Sequence, residues 1–144
     1  MIVVADTSAL FAAFDAGQPE HTSAAAVMEE ELLVLSPLVL TELDHLIRRD
    51  FGFGAAVQVA ESLTDRMADG RYLLASLTNP DLVAAASVRT RYASLELDLA
   101  GAVGVVLADR HRTNEIFTLD QRDFRAIAPL TRGFDAFRIL PADR

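Results

Sequence analysis

The chain has 144 residues and a net charge of −8, and this length is sufficient for one folded domain with its own core. It contains no Cys, which excludes disulfides, thiolate zinc sites and cysteine nucleophiles. All 13 basic residues are Arg, and without Lys a Walker P-loop or a Schiff-base enzyme is excluded. No apolar stretch approaches the roughly 20 residues of a membrane span, and Asp6 interrupts the first apolar run, so no signal peptide is expected. We therefore predict a single cytoplasmic domain over residues 1–144.

The first half of the chain alternates short apolar runs with amphipathic stretches, which is typical of an α/β fold. Thr7 or Ser8 is the predicted N-cap of the first helix. Ser36 followed by Pro37 is a helix start signal, because Pro is favoured at the first helical position. The predicted elements are a strand over 2–5, a helix over 9–15, a helix over 21–31, a strand over 32–35, a helix over 37–51 and a helix over 55–68.

The second half continues the same alternation. The predicted elements are a strand over 72–75, a helix over 79–92, a helix over 98–112, a strand over 116–118, a short turn or helix over 120–127 and a strand over 136–140. Short apolar runs that are bounded by polar residues are typical of buried strands in a parallel sheet. We therefore predict an α/β domain with a mainly parallel sheet.

Two of these apolar runs end on a carboxylate. Asp6 follows the first strand and Asp120 follows the late strand over 116–118. In open α/β sheets the functional crevice lies outside the carboxyl ends of the strands, so both acids are expected there. Glu42, in the helix that begins at Pro37, and Asp98, at the start of a late helix, are further candidates.

Carboxylates that lie close together repel one another and raise each other's pKa, so such a group usually holds a cation. Oxygen ligands without His or Cys favour Mg²⁺ or Mn²⁺. The reaction that such a site suits best is metal-assisted hydrolysis of a phosphodiester.

Each acid also has an ordinary structural explanation. Asp6 can be a helix N-cap or a turn residue, Glu42 a solvated helix residue, and Asp98 a first-turn acid that complements the helix dipole. Asp120 and Asp123 can be turn acids. Only the combination of acids, and no single one of them, favours a functional site.

Four short segments extend this combination over nearly the whole chain. They are Val4 to Leu10, Ser36 to Asp44, Ala108 to Arg110 and Thr118 to Phe124. In their order and spacing the chain resembles PIN-domain ribonucleases, and more narrowly the VapC toxins of bacterial toxin–antitoxin pairs.

The resemblance implies a three-layer α/β/α sandwich and an endoribonuclease that uses Mg²⁺ or Mn²⁺. The family holds the metal with acids from the first strand, the third helix, a late helix and the strand after it. Asp6, Glu42 and Asp120 match three of these positions and are the predicted catalytic residues.

Other polar residues near these acids are expected to support the site. Those that we expect to orient the carboxylates or their waters are Thr7, Ser8, Asp44, Thr118 and Asp123. Arg122 and Arg125 follow Asp120 closely and are predicted to form a basic rim that contacts RNA.

Partners are also implied by the resemblance. The family forms homodimers, and a cognate VapB-like antitoxin lays its tail over the acidic site, often with an Arg among the acids. The charge of −8 and the hydrophobic content of 51% fit a partner that brings basic charge and covers apolar surface. The expected substrate is a cellular RNA, and no membrane partner is expected.

The chain departs from the family at the remaining acid, because Gly101 stands where the late helix normally carries an Asp. A Gly inside a helix costs roughly 1 kcal/mol relative to Ala and supplies no ligand. Asp98, one helical turn earlier, is a possible replacement and is a predicted metal ligand. Alternatively, Gly101 inactivates the site, or the alignment is shifted and Asp98 is the family acid.

Two functions of other classes remain. A catalytically inactive PIN-fold module, acting with the antitoxin as a decoy or corepressor, is favoured by Gly101. A response-regulator receiver or a haloacid dehalogenase-type phosphatase also carries Asp at strand ends. Both normally need a Lys, which this chain lacks, and the phosphatase needs an Asp where Ser8 stands.

Overall fold

The computed structural model describes residues 1–144, and every predicted strand and helix is present in the predicted order. The strands are β1 (Ile2–Ala5), β2 (Leu32–Leu35), β3 (Tyr72–Leu74), β4 (Glu115–Phe117) and β5 (Arg138–Leu140). The helices are α1 (Thr7–Phe14), α2 (His21–Glu30), α3 (Pro37–Phe51), α4 (Phe53–Ala68), α5 (Asn79–Arg91), α6 (Leu99–Arg110) and α7 (Gln121–Ala126), with a 3-10 turn over Ala93–Leu95. None of these helices combines the length and the apolar character of a membrane span.

The start of α1 differs from the prediction. The helix begins at Thr7, and Asp6 occupies the N-cap position with extended backbone. Thr7 and Ser8 are therefore inside the helix, and their hydroxyls bond to residues distant in sequence instead of capping it. Ser36, in contrast, caps α3 as predicted, since its side chain accepts a hydrogen bond from the N–H of Leu38 at 3.1 Å.

All five strands are parallel, in the order β3-β2-β1-β4-β5. The strand β1 lies at the centre, and the chain winds outward from it in both directions. The order therefore reverses beside β1, which is where open α/β sheets place their functional crevice. The N–H of Asp6 donates to the carbonyl of Phe117 at 2.8 Å, so the pairing of β1 with β4 continues up to the acid.

Apolar side chains cover both faces of the sheet. Because successive strand residues point to opposite faces, Val3 contributes to one core cluster and Val4 to the other. The first cluster includes residues of α1 to α4, among them Leu10, Val27, Leu43 and Leu63. The second includes residues of α5, α6 and α7, among them Ala85, Leu107 and Phe124. The expected α/β/α sandwich is confirmed.

The C-terminal segment is fixed by one carboxylate. The Asp143 side chain accepts from both terminal nitrogens of Arg125, at 2.9 and 2.6 Å, and from the N–H of Ile139 at 2.8 Å. The hydrogen bonds from Arg125, joined by the bond from Ile139, lower the pKa of Asp143 to about 2. A carboxyl whose pKa is lower in the folded than in the unfolded state stabilises the fold above its unfolded pKa.

We expect Asp143→Asn to lower the free energy of unfolding by about 1 kcal/mol at pH 7, because the pair with Arg125 is partly exposed. The difference from wild type should shrink as the pH falls from 4 towards 2, because the unfolded state already binds a proton at Asp143 there while the folded state only begins to. Urea unfolding at pH 7 and at pH 2.5 measures this. Asp135→Asn, at an exposed position, is the control. An equal loss at both pH values would contradict the assignment.

Candidate functional site

A cavity of about 170 Å³ lies beyond the carboxyl ends of β1 and β4. It is lined by Asp6, Glu96, Leu97, Asp98, Gly101, Asp120, Asp123 and Phe124. Three of the four predicted metal ligands, Asp6, Asp98 and Asp120, thus face one space, together with the position of the missing acid. Elements far apart in the chain are brought together there by the parallel sheet.

Asp6 is the acid at the centre of the fold, at the end of β1. It stands at the N-cap position of α1, yet its side chain makes no capping hydrogen bond. Burial raises the pKa of Asp6, a hydrogen bond from Thr118 opposes the rise, and the charges of Asp98 and Glu42 add to it. The local structure of α1 therefore does not account for this carboxylate, and its ionised form lacks a counter-charge.

A chain of hydroxyl groups ends on Asp6. The Thr118 hydroxyl donates to Asp6 Oδ2 at 2.7 Å and accepts from the N–H of Asp120 at 3.0 Å. The Ser8 hydroxyl accepts from the N–H of Leu119 at 3.0 Å and lies 3.2 Å from the Thr118 hydroxyl. The Ser8 hydroxyl also lies within 3.4 Å of Asp6 Oδ2, to which it can donate its proton. The network fixes Oδ2 and the orientation of the Asp6 carboxylate.

Glu42 is held next to this network from the other side of α1. The buried Thr7 hydroxyl donates to Glu42 Oε2 at 2.8 Å. Glu42 is half-buried and does not line the acidic cavity itself, although its charge contributes to the raised pKa of Asp6, which burial dominates. A second carboxylate is thereby oriented by a hydroxyl that the sequence analysis assigned to that task.

Asp44 does not line the acidic cavity, contrary to its predicted place beside the acids. It follows Glu42 by two positions, which turns its side chain about 200° around α3 at 3.6 residues per turn. Asp44 instead lines an apolar groove between α3 and α4.

Asp98 has a local structural role. It is the N-cap of α6, and its Oδ1 accepts from the N–H of Gly101 at 2.7 Å. A Cβ atom on residue 101 would lie 3.0 Å from that same oxygen. The glycine therefore allows the Asp98 carboxylate to approach the turn closely, and a side chain at 101 would require Asp98 to move. Only Oδ2 of Asp98 is left without a bond inside the protein.

Asp120 and Asp123 stand together at the start of α7. Asp120 is the N-cap, and its Oδ1 accepts from the N–H of Asp123 at 3.1 Å. Burial raises the pKa of the Asp123 carboxyl, the neighbouring Asp120 raises it further, and the positive charge of Arg122 opposes them. Two acids on one helical turn therefore share a strongly negative environment.

One acid of the cavity was missed in the sequence analysis. Glu96 lines the cavity from the loop before α6, where its backbone has φ 52°, in the left-handed region. It follows a 3-10 turn that no apolar periodicity marks, and it is remote from any strand end. No pattern in the sequence could have placed it near Asp6.

The predicted basic rim is reduced to one residue. Arg125 is committed to Asp143 and also donates to Gln121 at 3.2 Å, so it is not free to face RNA as predicted. Arg122 is exposed and forms no salt bridge. It is the available cation beside Asp120.

The carboxylates fit a divalent cation only in part. All the candidate donors are hard oxygens, which suits Mg²⁺ or Mn²⁺. No group of three acids or histidines converges closely enough to hold a metal ion by itself. The site therefore fits a cation that is held by one or two carboxylates and keeps several waters, as Mg²⁺ commonly does.

Comparisons with known proteins identify the family. The PIN domain family matches residues 3–130. The chain is 38% identical over 141 residues to ribonuclease VapC26 of Mycobacterium tuberculosis, an alignment that covers 96% of this chain and 100% of the relative.

Solved structures share the fold. VapC20 of Mycobacterium tuberculosis, described as a sarcin–ricin loop cleaving toxin, superposes with a TM-score of 0.76 at 22% identity, over 96% of this chain and 99% of that one. VapBC2 from Rickettsia felis, bound to a fragment of promoter DNA, gives a TM-score of 0.64 at 13% identity, over 96% and 98%. A toxin–antitoxin complex from Klebsiella pneumoniae gives 0.61 at 20% identity, over 87% and 92%.

The fold and the similarity over nearly the whole length of the chain agree with one another. Nucleases of this kind generally depend on divalent metal ions. The chain belongs to the PIN-domain family and, within it, to the VapC ribonucleases.

Proposed function

We propose that the chain is the toxin of a toxin–antitoxin pair and cleaves phosphodiester bonds of cellular RNA with a divalent cation, Mg²⁺ or Mn²⁺. The observation that carries this proposal is the meeting of Asp6, Asp98 and Asp120 in one cavity where the strand order reverses. We propose that the chain acts in the cytoplasm, where such an RNA substrate would be available.

The acids would share the task of binding the cation. Asp6 and Asp120 would hold it from the ends of β1 and β4, with Asp98 Oδ2 and Glu42 acting through intervening waters. When bound, such an ion activates water for attack on a phosphate and neutralises the phosphate charge. The hydroxyls of Thr7 and Thr118 keep two of the carboxylates oriented.

Charge explains why both a cation and Arg122 are needed. A chain with net charge −8 repels RNA, and the acidic cavity adds to that repulsion. Arg122 is the exposed guanidinium next to Asp120, and we propose that it contacts a phosphate of the substrate. Gly101 supplies no ligand to the cation, so we expect weak cation binding and slow turnover.

Cleavage of a labelled RNA by the purified chain tests the function. We would use an RNA stem-loop with the sarcin–ricin sequence beside an unstructured RNA, with Mn²⁺, with Mg²⁺ and with EDTA. We expect slow cleavage that EDTA abolishes and that Glu42→Gln reduces at least tenfold, while Glu61→Gln, an exposed control on α4, has no effect. Cleavage that persists in EDTA would contradict the proposal.

The hydroxyl network predicts a separate effect on cation affinity. We expect Thr118→Val to weaken Mn²⁺ binding by about tenfold or more, because Asp6 loses its orienting donor. It should also lower the free energy of unfolding by about 1–3 kcal/mol, because the N–H of Asp120 loses its acceptor.

Calorimetric titration with Mn²⁺ and urea unfolding measure the two effects of Thr118→Val. Thr118→Ser keeps the hydroxyl and should restore most of the affinity. If the Val and Ser variants bind Mn²⁺ equally, the hydroxyl does not act through Asp6.

A cognate VapB-like antitoxin is the protein partner that we propose. The apolar groove between α3 and α4 has a volume of about 150 Å³ and is lined by Leu40, Val59 and Met67 among others. Phe51 and Phe53, at the turn between the same helices, are 52% and 67% exposed. Apolar surface of this kind marks a protein contact. We propose that an antitoxin segment covers it, and that the chain forms a homodimer.

Gly101 supports a second candidate function, a module that binds the antitoxin without catalysis. No group of three acids converges closely enough to hold an ion, which is also what an abandoned metal site would show. The two functions predict different results when Mn²⁺ binding is measured by calorimetry. Absent binding, together with absent RNA cleavage, would favour the module.

A further inference from the structure

A second cleft lies beside the acidic cavity, across the segment 118–121, and we name it the base cleft. It has a volume of about 230 Å³. It is lined by Glu20, Ser23, Thr118, Leu119, Gln121, Pro141 and Ala142. Asp120 lines the acidic cavity whereas its two neighbours Leu119 and Gln121 line the base cleft, so the two spaces lie on either side of this segment. A polymer bound at the acids therefore has to cross only one segment of chain to enter the cleft.

The polar groups of the base cleft have unused hydrogen-bonding capacity. Gln121 Oε1 accepts from Arg125 at 3.2 Å, which leaves the two Nε2 donors free. Because Asp143 holds Arg125, the orientation of the Gln121 amide is fixed. The Glu20 carboxylate forms no hydrogen bond or salt bridge within the chain, and the Ser23 hydroxyl donates to the Glu20 carbonyl at 3.0 Å. The cleft thus offers a free carboxylate and a free amide donor.

These groups are suited to a nucleobase. Leu119, Pro141 and Ala142 supply apolar walls for a flat ring. A carboxylate accepts from N–H groups only, and guanine presents two adjacent N–H groups on its Watson–Crick edge, next to a carbonyl that an amide can reach. Cytosine and adenine instead present a ring nitrogen lone pair beside their amino group, which repels a carboxylate. Unpaired bases read on this edge are the usual basis of sequence-specific RNA recognition.

We propose that the base cleft binds a guanine base of the RNA next to the cut phosphate, with Glu20 and Gln121 as the residues that select it. This inference rests on the proposed ribonuclease function. It also explains how a chain with net charge −8 and one free Arg at its site discriminates among RNAs. Phosphate contacts position an RNA without reading its sequence, so base contacts would carry the selection.

Nucleotide binding in the absence of metal tests the base cleft apart from catalysis. Each of the four nucleoside 5′-monophosphates would be titrated into the ¹⁵N-labelled chain, and the backbone amide shifts would be followed by NMR. All four share the phosphate, so differences between them report the base. We expect GMP to bind most tightly and to shift Ser23, Leu119 and Gln121. Glu20→Gln should weaken GMP by about tenfold and leave AMP unchanged, with Glu61→Gln as the control.

The results separate this inference from the function on which it rests. Equal shifts from all four nucleotides, shifts outside the cleft, or no effect of Glu20→Gln would overturn the base cleft. If the chain cuts RNA but shows any of these results, only the base cleft fails. If GMP binds as expected but no RNA is cut with any divalent ion, the ribonuclease proposal fails and the cleft stands as a nucleotide site.

Discussion

Replacing Gly101 by Asp is expected to strengthen Mn²⁺ binding by about tenfold or more and to raise the rate of RNA cleavage by at least as much. The new carboxylate would enter the cavity that Asp6, Asp98 and Asp120 already line. Residue 101 lies in the first turn of α6, where a negative charge is also favoured by the helix dipole. Calorimetric titration with Mn²⁺ and an RNA cleavage assay measure the two effects.

Gly101→Ala is the matched control for this substitution. A Cβ at 101 would lie 3.0 Å from Asp98 Oδ1, so both variants displace Asp98 by a similar amount. Both also remove a helical glycine, which is worth roughly 1 kcal/mol of stability. Only the Asp variant adds a carboxylate, and its repulsion from the other acids should make it less stable than the Ala variant until a divalent ion is added.

The comparison also decides between the explanations of Gly101. Equal Mn²⁺ affinity in the Ala and Asp variants would show that residue 101 is not a ligand position. If the wild-type chain then cleaves RNA and Asp98→Ala abolishes cleavage, Asp98 is the working ligand. A gain confined to the Asp variant would identify Gly101 as an inactivating substitution.

Local sequence patterns predicted the elements of the fold because each is marked within a few residues. The apolar run over 2–5 and the Ser36-Pro37 start of α3 are signals of this kind. The start of α1 was placed two residues late because Thr7 has the chemistry of a cap. Its hydroxyl instead bonds to Glu42, 35 positions away, and no local pattern reports such a bond.

The residues around the site likewise fall into those that a local pattern indicates and those that only the folded chain brings together. Asp6 and Asp120 were found because each follows a strand. Asp44 was misplaced because proximity to Glu42 in sequence does not mean a shared helix face. Glu96 was missed because only the packing of a loop before α6 carries it to the cavity. The pairing of Arg125 with Asp143 depends on where the C-terminal segment folds back, which α7 alone does not indicate.

Replacing Asp6 by Asn is expected to abolish measurable RNA cleavage and to weaken Mn²⁺ binding more than any other single change. Without metal, however, the variant should be at least as stable as wild type at pH 7. Burial raises the pKa of Asp6, so its ionised form opposes folding above that pKa. The folded state binds the proton more tightly, so this carboxyl costs stability as the pH rises through its folded pKa.

An asparagine keeps the acceptor for the Thr118 hydroxyl and removes the buried charge. Urea unfolding at pH 7 with and without Mn²⁺ measures the free energy of unfolding of this variant. Asp65→Asn is the exposed control. The metal should stabilise wild type and the control but not the Asp6 variant, because only an ion that binds the folded state shifts the equilibrium towards it.

If Asp6→Asn were instead clearly less stable than wild type without metal, the carboxylate would be serving α1 structurally. The absence of a capping bond from Asp6 argues against that result, whereas Asp98 and Asp120 both cap the helices they precede. Among the three predicted metal ligands that line the cavity, Asp6 is therefore the one whose presence a helix cap does not explain.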